Sequence, residues 1–248
     1  MTSAPPRPKR HWLAIIFWSF MAAGTYGLYS GVIVIPDSFN PWAPLDVNAQ
    51  PSVLTAYKLA RTRNDPALCA NALTQTGMKY DLLPNRTTGP GCGFDNAVRL
   101  REAGVRLGSQ VSLSCPMALS FFMWEKHALQ PAALQHFGQR VVAIEHLGSY
   151  ACRNINRGES TASGSRSRHA TANALDIAGF TLESGKPISI LKQWQAADTT
   201  AAPNAEAQML ADAHQGACRF FSGVLGPDYN AVHRNHFHLE TGGYSMCR

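Results

Sequence analysis

Apolar positions are spread unevenly along the chain. Trp12 to Ile35 holds 24 consecutive residues without a charge. As a helix at about 1.5 Å per residue this stretch reaches roughly 36 Å, enough for a hydrocarbon core near 30 Å. From Pro36 to about Ser52 the periodicity lapses and prolines recur at 36, 41, 44 and 51, with Trp42 as an aromatic anchor; that composition predicts an extended spacer. Helical spacing resumes over Val53–Arg63. Asp65-Pro66 supplies an N-cap and a first-turn proline for a second helix that Gly77 closes. Pro84 to Gly93 reads as a loop or tight turn, and Asn96–Leu107 and Ser109–Leu113 as short strands. Ser114 and Pro116 then open an amphipathic helix, MALSFFMWEKHAL (117–129). Pro131–Phe137 is a further helix ended by Gly138, and Val141–Leu147 a buried strand. A Gly/Ser/Arg-rich loop from Asn156 to Arg168 leads to a strand at Leu175–Phe180, and Ser184-Gly185-Lys186 turns the chain into Pro187–Leu191 as a hairpin. A polar loop, Gln195–Asn204, precedes a helix over Ala205–Ser222, and the turn Gly226–Asn230 delivers a last strand containing HFHLE (236–240). Helices come first and strands gather late, so the class is α+β: a small antiparallel sheet flanked by helices, preceded by one N-terminal transmembrane helix. The organisation is a basic tail (1–11), an anchor (12–35), a spacer (36–54) and a folded domain (55–248).

Composition narrows the setting. Of 248 residues 45% are hydrophobic, which permits a real core. The net charge is +6, of which Arg7, Lys9 and Arg10 supply three ahead of any acid, leaving +3 over the rest. No basic stripe with interleaved aromatics is present, which argues against a nucleic-acid partner. The basic flank places the N-terminal side in the cytoplasm and sends the remainder outward. A cleaved signal peptide is the alternative. The apolar run exceeds the usual h-region of about 7–15 residues, however, and no A-x-A site follows it. Six cysteines, none in the anchor and none in a C-x-x-C pair, suit disulfides in an exported domain. Spacing does not choose among the connectivities; Cys69–Cys92, Cys115–Cys152 and Cys218–Cys247 are the expected pairs.

Chemistry concentrates in two short segments. RSRHATANALD (166–176) and HFHLE (236–240) supply His169, Asp176, His236 and His238. In a strand the i, i+2 spacing of His236 and His238 puts both imidazoles on one face, with Phe237 and Leu239 toward the core. Asp176 lies among Leu175, Ile177 and Ala178, where an unpaired carboxylate is costly and a cation relieves the cost. Imidazole and carboxylate suit Zn²⁺, and three protein ligands with an open position is the catalytic rather than the structural pattern. The bland alternative is a hydrogen-bonded His/Asp cluster. There is no H-E-x-x-H, G-x-S-x-G or P-loop motif. His127, His136 and His214 read as ordinary helix or surface residues, and so does His233, with shaping of the nearby pocket as its lesser alternative.

Ser167 to Asp176, followed by His236-Phe237-His238, resembles the zinc signature of the lysostaphin, D-Ala-D-Ala metallopeptidase and hedgehog superfamily, S-x-H-x-x-G-x-A-x-D, with Ala172 in place of the usual glycine. GSYACR (148–153), NALDIAGF (173–180) and LGPDYNAVHRNHFHLE (225–240) are similar to the bacterial extensin-like C-terminal domain family over roughly residues 55–248. The resemblance implies that His169, Asp176 and His238 ligate Zn²⁺ and that His236 acts as general base or stabilises developing charge. The superfamily's carboxypeptidases often carry a glutamate three residues before the last ligand, where this chain has Asn235. Ser167 would support the first ligands from behind. Arg153 would clamp a carbonyl or carboxylate, although two extra residues precede it relative to the superfamily's Ser-Gly-Tyr-Arg. The implied activity is that of a zinc-dependent D,D-carboxypeptidase- or endopeptidase-like hydrolase acting on peptidoglycan stem peptides or cross-links. With the anchor, this implies a single-pass protein of the bacterial inner membrane with its domain in the periplasm. A non-catalytic zinc-containing module that binds or scaffolds the cell wall is the rival reading, and an amidase or ester hydrolase on another polymer is a third.

Overall fold

In the computed structural model, residues 11–155, 164–196, 202–243 and 245–248 are described. The basic tail up to Arg10, the centre of the Gly/Ser/Arg-rich loop (156–163) and the centre of the polar loop (197–201) lie outside them. The chain forms two units, Met1–Ala43 and Pro44–Arg248.

The first unit is dominated by α1, His11–Tyr29, with 19 residues and side chains almost wholly exposed. At about 1.5 Å per residue it measures roughly 29 Å, close to a bilayer's hydrocarbon thickness. Its length and composition suit a membrane span and a signal sequence equally. The helix stops six residues before the apolar run does. Gly31 adopts a left-handed φ of +73°, and the Ile33 N–H returns to the Gly27 carbonyl at 2.9 Å. Ile33 lies over Gly27 so closely that a Cβ there would meet its Cδ1 at 2.7 Å. A short 3-10 turn, Asp37–Phe39, follows.

The second unit starts earlier than the expected residue 55, because Leu45 and Val47 are buried in its core. Helix α2 (Thr55–Asn64) leads to α3 (Pro66–Thr74), whose start is fixed by the Asp65 carboxylate accepting from the Ala67 and Leu68 N–H groups at 3.0 Å each. Strands β1 (Lys79–Leu83), β4 (Ala97–Glu102) and β5 (Val111–Ser114) form a three-stranded antiparallel sheet in the order β1-β4-β5. Between the first two, β2 (Arg86–Gly89) and β3 (Cys92–Phe94) make a hairpin where the sequence predicts a loop. Short polar strands have too little alternation to declare themselves.

Ser114 caps α4 (Cys115–Trp124), accepting from the Met117 N–H. The pattern predicts an amphipathic helix, yet all ten residues are buried. α2, α3, β4 and β5 all pack on it, which explains why apolar side chains occur all round. α4 continues through a π-turn, Glu125–Leu129, into α5 (Gln130–Phe137), which Gly138 ends at φ +64°. Trp124 donates to the Ala213 carbonyl at 2.8 Å and packs on Phe121, Phe180 and Phe221.

The larger sheet carries Asp176 and His238. β6 (Val141–Gly148), β7 (Ala174–Leu182), β8 (Pro187–Ser189), β9 (Gly223–Leu225), β10 (Phe237–Glu240) and β11 (Met246–Cys247) are ordered β11-β9-β10-β7-β6, with β8 also paired to β7. The β9–β11 pair is parallel, and the other strand pairs among the described residues of this sheet are antiparallel. α6 (Ile190–Gln193) follows β8, and α7 (Ala205–Ala217), capped by Asn204, ends five residues before the expected Ser222.

Two of the expected disulfides are corrected. Cys69 pairs with Cys115 and Cys92 with Cys152, while Cys218–Cys247 stands. α3 packs on α4, which brings Cys69 to the first residue of α4. The β2–β3 hairpin meets the segment after β6 through Cys92, a proximity that sequence separation does not encode.

Candidate metal centre

Strand register makes the first half of the site. On β7, Asp176 stands directly opposite His238 of β10 and, on its other side, opposite Gly148 of β6. Cross-strand neighbours lie about 4.5–5.5 Å apart at Cβ, so the carboxylate and imidazole meet without a long reach. The third member arrives from the 3-10 turn Arg168–Thr171. His169, only 3% exposed, approaches the Ser149 carbonyl through Nδ1 at 3.3 Å. A carbonyl only accepts, so Nδ1 carries the proton and Nε2 is left to face Asp176.

His169 Nε2, the Asp176 carboxylate and His238 Nδ1 have ligand atoms within 4.8 Å of one another. The closest pairs are His238 Nδ1 to Asp176 Oδ1 at 2.8 Å, His169 Nε2 to Asp176 Oδ2 at 3.2 Å and His169 Nε2 to His238 Nδ1 at 3.3 Å. Tetrahedral zinc with bonds of about 2.0–2.1 Å needs ligand atoms roughly 3.3 Å apart. The donor set therefore fits the metal that its residue types suggest.

Electrostatics agree. Burial works against the Asp176 carboxylate, but hydrogen bonds from His169 and His238 and their charge outweigh it and hold the group well below the usual carboxylate range. Burial also disfavours a charged His238, yet hydrogen bonds to Asp176 and Glu240 and their charge raise it to about 9. His238 Nε2 meets Glu240 Oε2 at 3.0 Å. Glu240 is a partner that HFHLE does signal: the alternation that pairs His236 with His238 extends to it. A carboxylate on the far nitrogen of a ligand imidazole fixes its ring and raises its basicity. Glu240→Gln is expected to weaken zinc binding about tenfold, and Glu240→Ala toward about a hundredfold, without changing stoichiometry in a competition titration against a chelating dye.

The raised His238 also sets a pH dependence. In the metal-free chain both nitrogens face carboxylates and hold protons below about 9. A metal at Nδ1 would displace one, so zinc, where it occupies the centre, is expected to release at least one proton at neutral pH. Affinity should then rise about tenfold per pH unit up to that pKa and level off above it. Calorimetry in buffers of different ionisation enthalpy measures the proton, and release of none at pH 7 would contradict the assignment.

His236 lies just before the paired part of β10, with Nε2 3.6 Å from Asp176 Oδ1. Its Nδ1 meets Asn235 Oδ1 at 2.9 Å. If that nitrogen donates to the amide oxygen, Nε2 is the free acceptor. Burial pushes His236 below its ordinary pKa, with the charges of His238, His169 and Arg153 adding to this and Asp176 opposing it. His233 is similarly lowered, to about 4, chiefly by burial. It meets Asn230 Oδ1 at 2.8 Å and packs against the rings of Tyr229, His236 and His238.

Ser167 is buried and acts through the backbone: its Oγ accepts from the His169 N–H, capping the turn that carries the ligand. Ala172 closes the same turn at φ +55° and is fully buried, with its carbonyl accepting from the Ser114 N–H. A left-handed alanine costs roughly 1–2 kcal/mol, so the turn keeps a glycine-like shape without glycine. Arg153 is exposed, its guanidinium donating to the Asn154 carbonyl at 3.3 Å. Among the described residues it makes no hydrogen bond or ion pair to the His/Asp cluster, and reaches His233 and His236 through its charge. His214 is not the ordinary helix or surface residue expected: it is buried between Trp194 and Phe237, behind β10.

The extensin-like protein C-terminus family matches residues 67–248. No curated protein and no solved structure matches the chain.

Proposed function

The chain belongs to the extensin-like protein C-terminus family, and on that premise we propose that the His/Asp centre makes it a zinc metallopeptidase that hydrolyses peptide bonds in peptidoglycan stem peptides or cross-links. The observation that carries this reading is the ligand trio with His236 beside it, its Nε2 3.6 Å from Asp176 and its pKa lowered by burial. His169, Asp176 and His238 would hold the ion. Zinc supplies Lewis-acid polarisation of a carbonyl and acidification of a water.

The chain's own residues account for the proton and the charge. His236, kept below its usual pKa by burial, is an unprotonated acceptor at neutral pH and takes the proton of the attacking water at Nε2. The same proton is then available to the departing amine. Arg153 brings a positive charge for the substrate oxygen as negative charge develops there. Glu240 keeps His238 oriented through Nε2, and the Ser149 carbonyl does the same for His169 through Nδ1. The apolar α1 would tether the domain to the inner membrane and face it toward the periplasmic wall.

The test is digestion of purified sacculi by the full chain in detergent, with zinc added and with a chelator. Expected products are muropeptides each cleaved at a peptide bond with one water added, absent under chelation and restored by zinc. Loss of a terminal amino acid would identify a carboxypeptidase, and conversion of cross-linked dimers to monomers an endopeptidase. Zinc-loaded protein that leaves every peptide bond intact would sink the proposal.

A further inference from the structure

A second concave surface lies apart from the metal centre. It is a cleft of about 1080 Å³ between the end of α2, the β2–β3 hairpin and a floor that includes Ser114, Asn173 and Thr241. None of His169, Asp176, His236, His238 or Arg153 lines it. The two sites share the Arg168–Thr171 turn, of which Arg168 and Thr171 face the cleft.

The lining is unbalanced in charge. Arg63, Arg86 and Arg168 contribute three guanidiniums against one carboxylate, Asp95. Among the described residues Arg63, Arg86 and Arg168 form no ion pair, so all three keep their charge for something else. Two are held in place by packing. Arg86 lies over the Phe94 ring at 5.3 Å. Arg168 rests against Gly242 and Gly243, whose φ values are +80° and +81°; a Cβ on Gly243 would lie 3.3 Å from its guanidinium carbon.

The floor is rigid and polar. Asn173 Oδ1 accepts from Ser114 Oγ at 2.6 Å and Thr241 Oγ1 at 3.3 Å, and its amide nitrogen donates to Thr171. Asn85 accepts from the Asn96 N–H through its oxygen, leaving its amide N–H groups to point elsewhere. Phe94, the aromatic of the lining, is buried and covered by Arg86, so no open ring awaits an apolar side chain.

We propose that this cleft binds an anionic glycan, a hydroxyl-rich chain carrying carboxylates or phosphates, at a site separate from the metal centre. Guanidinium forks match both anions bidentately. Uncharged amides and hydroxyls suit sugar hydroxyls, and the volume exceeds the roughly 300–1,000 Å³ of a small-molecule pocket, as an extended polymer segment requires. Open amides and hydroxyls beside the guanidiniums, with the one aromatic ring covered, favour a glycan over an acidic peptide.

The test uses the full chain and dextran oligosaccharides of one length that carry carboxymethyl groups, phosphates or neither, with polyglutamate as the peptide comparison. Either charged dextran is expected to bind, more weakly as salt rises, with the tighter of the two identifying the anion. Arg63→Glu/Arg86→Glu should weaken that binding by roughly ten- to a hundredfold, the scale of one or two charged hydrogen bonds. Zinc content should not change, and a chelator should leave glycan binding intact. Equal binding of neutral dextran, tighter binding of polyglutamate, no binding of either charged dextran, or an unaffected charge-reversed variant would each overturn the proposal, and none of them bears on the metallopeptidase reading.

Discussion

His169→Ala is expected to lower zinc affinity by roughly a hundred- to a thousandfold and to leave the purified chain nearly metal-free. Structural zinc sites bind with about 10–16 kcal/mol, so one ligand in three or four carries roughly 3–4 kcal/mol, with a tenfold change for each 1.4 kcal/mol. The loss should not be shared by His214→Ala. That residue is also buried, at 8% exposure against 3% for His169, but packs behind β10 and away from the ligand trio. Both variants lose a packed imidazole, so both should melt earlier than the parent. Only His169→Ala should lose the metal in elemental analysis of the dialysed protein. A full complement of zinc in His169→Ala would remove the turn Arg168–Thr171 from the centre.

The second large effect belongs to His236, and it separates a hydrolase from a wall-binding module. His236→Ala is expected to retain zinc, because its Nε2 stands 3.6 Å from Asp176 as a neighbour of the ligand trio rather than a member of it. Hydrolysis of muropeptides should fall about 10²- to 10⁴-fold, the usual worth of a positioned base. The pH profile adds a readout that a structural role would not move. A base held below the ordinary histidine pKa by burial is active when unprotonated. With zinc in excess, the acid limb of kcat/KM should therefore lie below about 6.5 in the parent chain, and the variant should lack that limb. If His236→Ala keeps both zinc and wall association while the ligand variants lose them, the non-catalytic module becomes the better account.

Much of the architecture is legible in local chemistry. Asp65 and Ser114 cap helices where a short polar side chain followed by proline says they should, and Gly138 ends one where a left-handed residue is needed. The apolar run from Trp12 is a helix, though it ends at Tyr29 because Gly31 turns the chain and Ile33 folds back on Gly27. The His/Asp residues were picked out by type and spacing, and the structure brings His169, Asp176 and His238 together. Arg153, expected to clamp a substrate carbonyl or carboxylate, bonds the Asn154 carbonyl and acts on His233 and His236 through its charge.

Other features have no local signature. Ser149 acquires its role by offering a carbonyl 20 residues before the imidazole it orients. The disulfides that join Cys69 to Cys115 and Cys92 to Cys152 follow from which helices and hairpins pack together. The arginines of the cleft come from α2, β2 and the turn before β7 and meet only in space.

By itself the sequence determined which residues can cap, break, cross an apolar layer or ligate a metal, because those properties belong to a side chain and its nearest neighbours along the backbone. The tertiary structure alone decided that Asp176 stands opposite His238, which cysteines meet, and that three distant arginines share one cleft. Register and packing are set by the burial of whole faces against one another, a property no single segment carries.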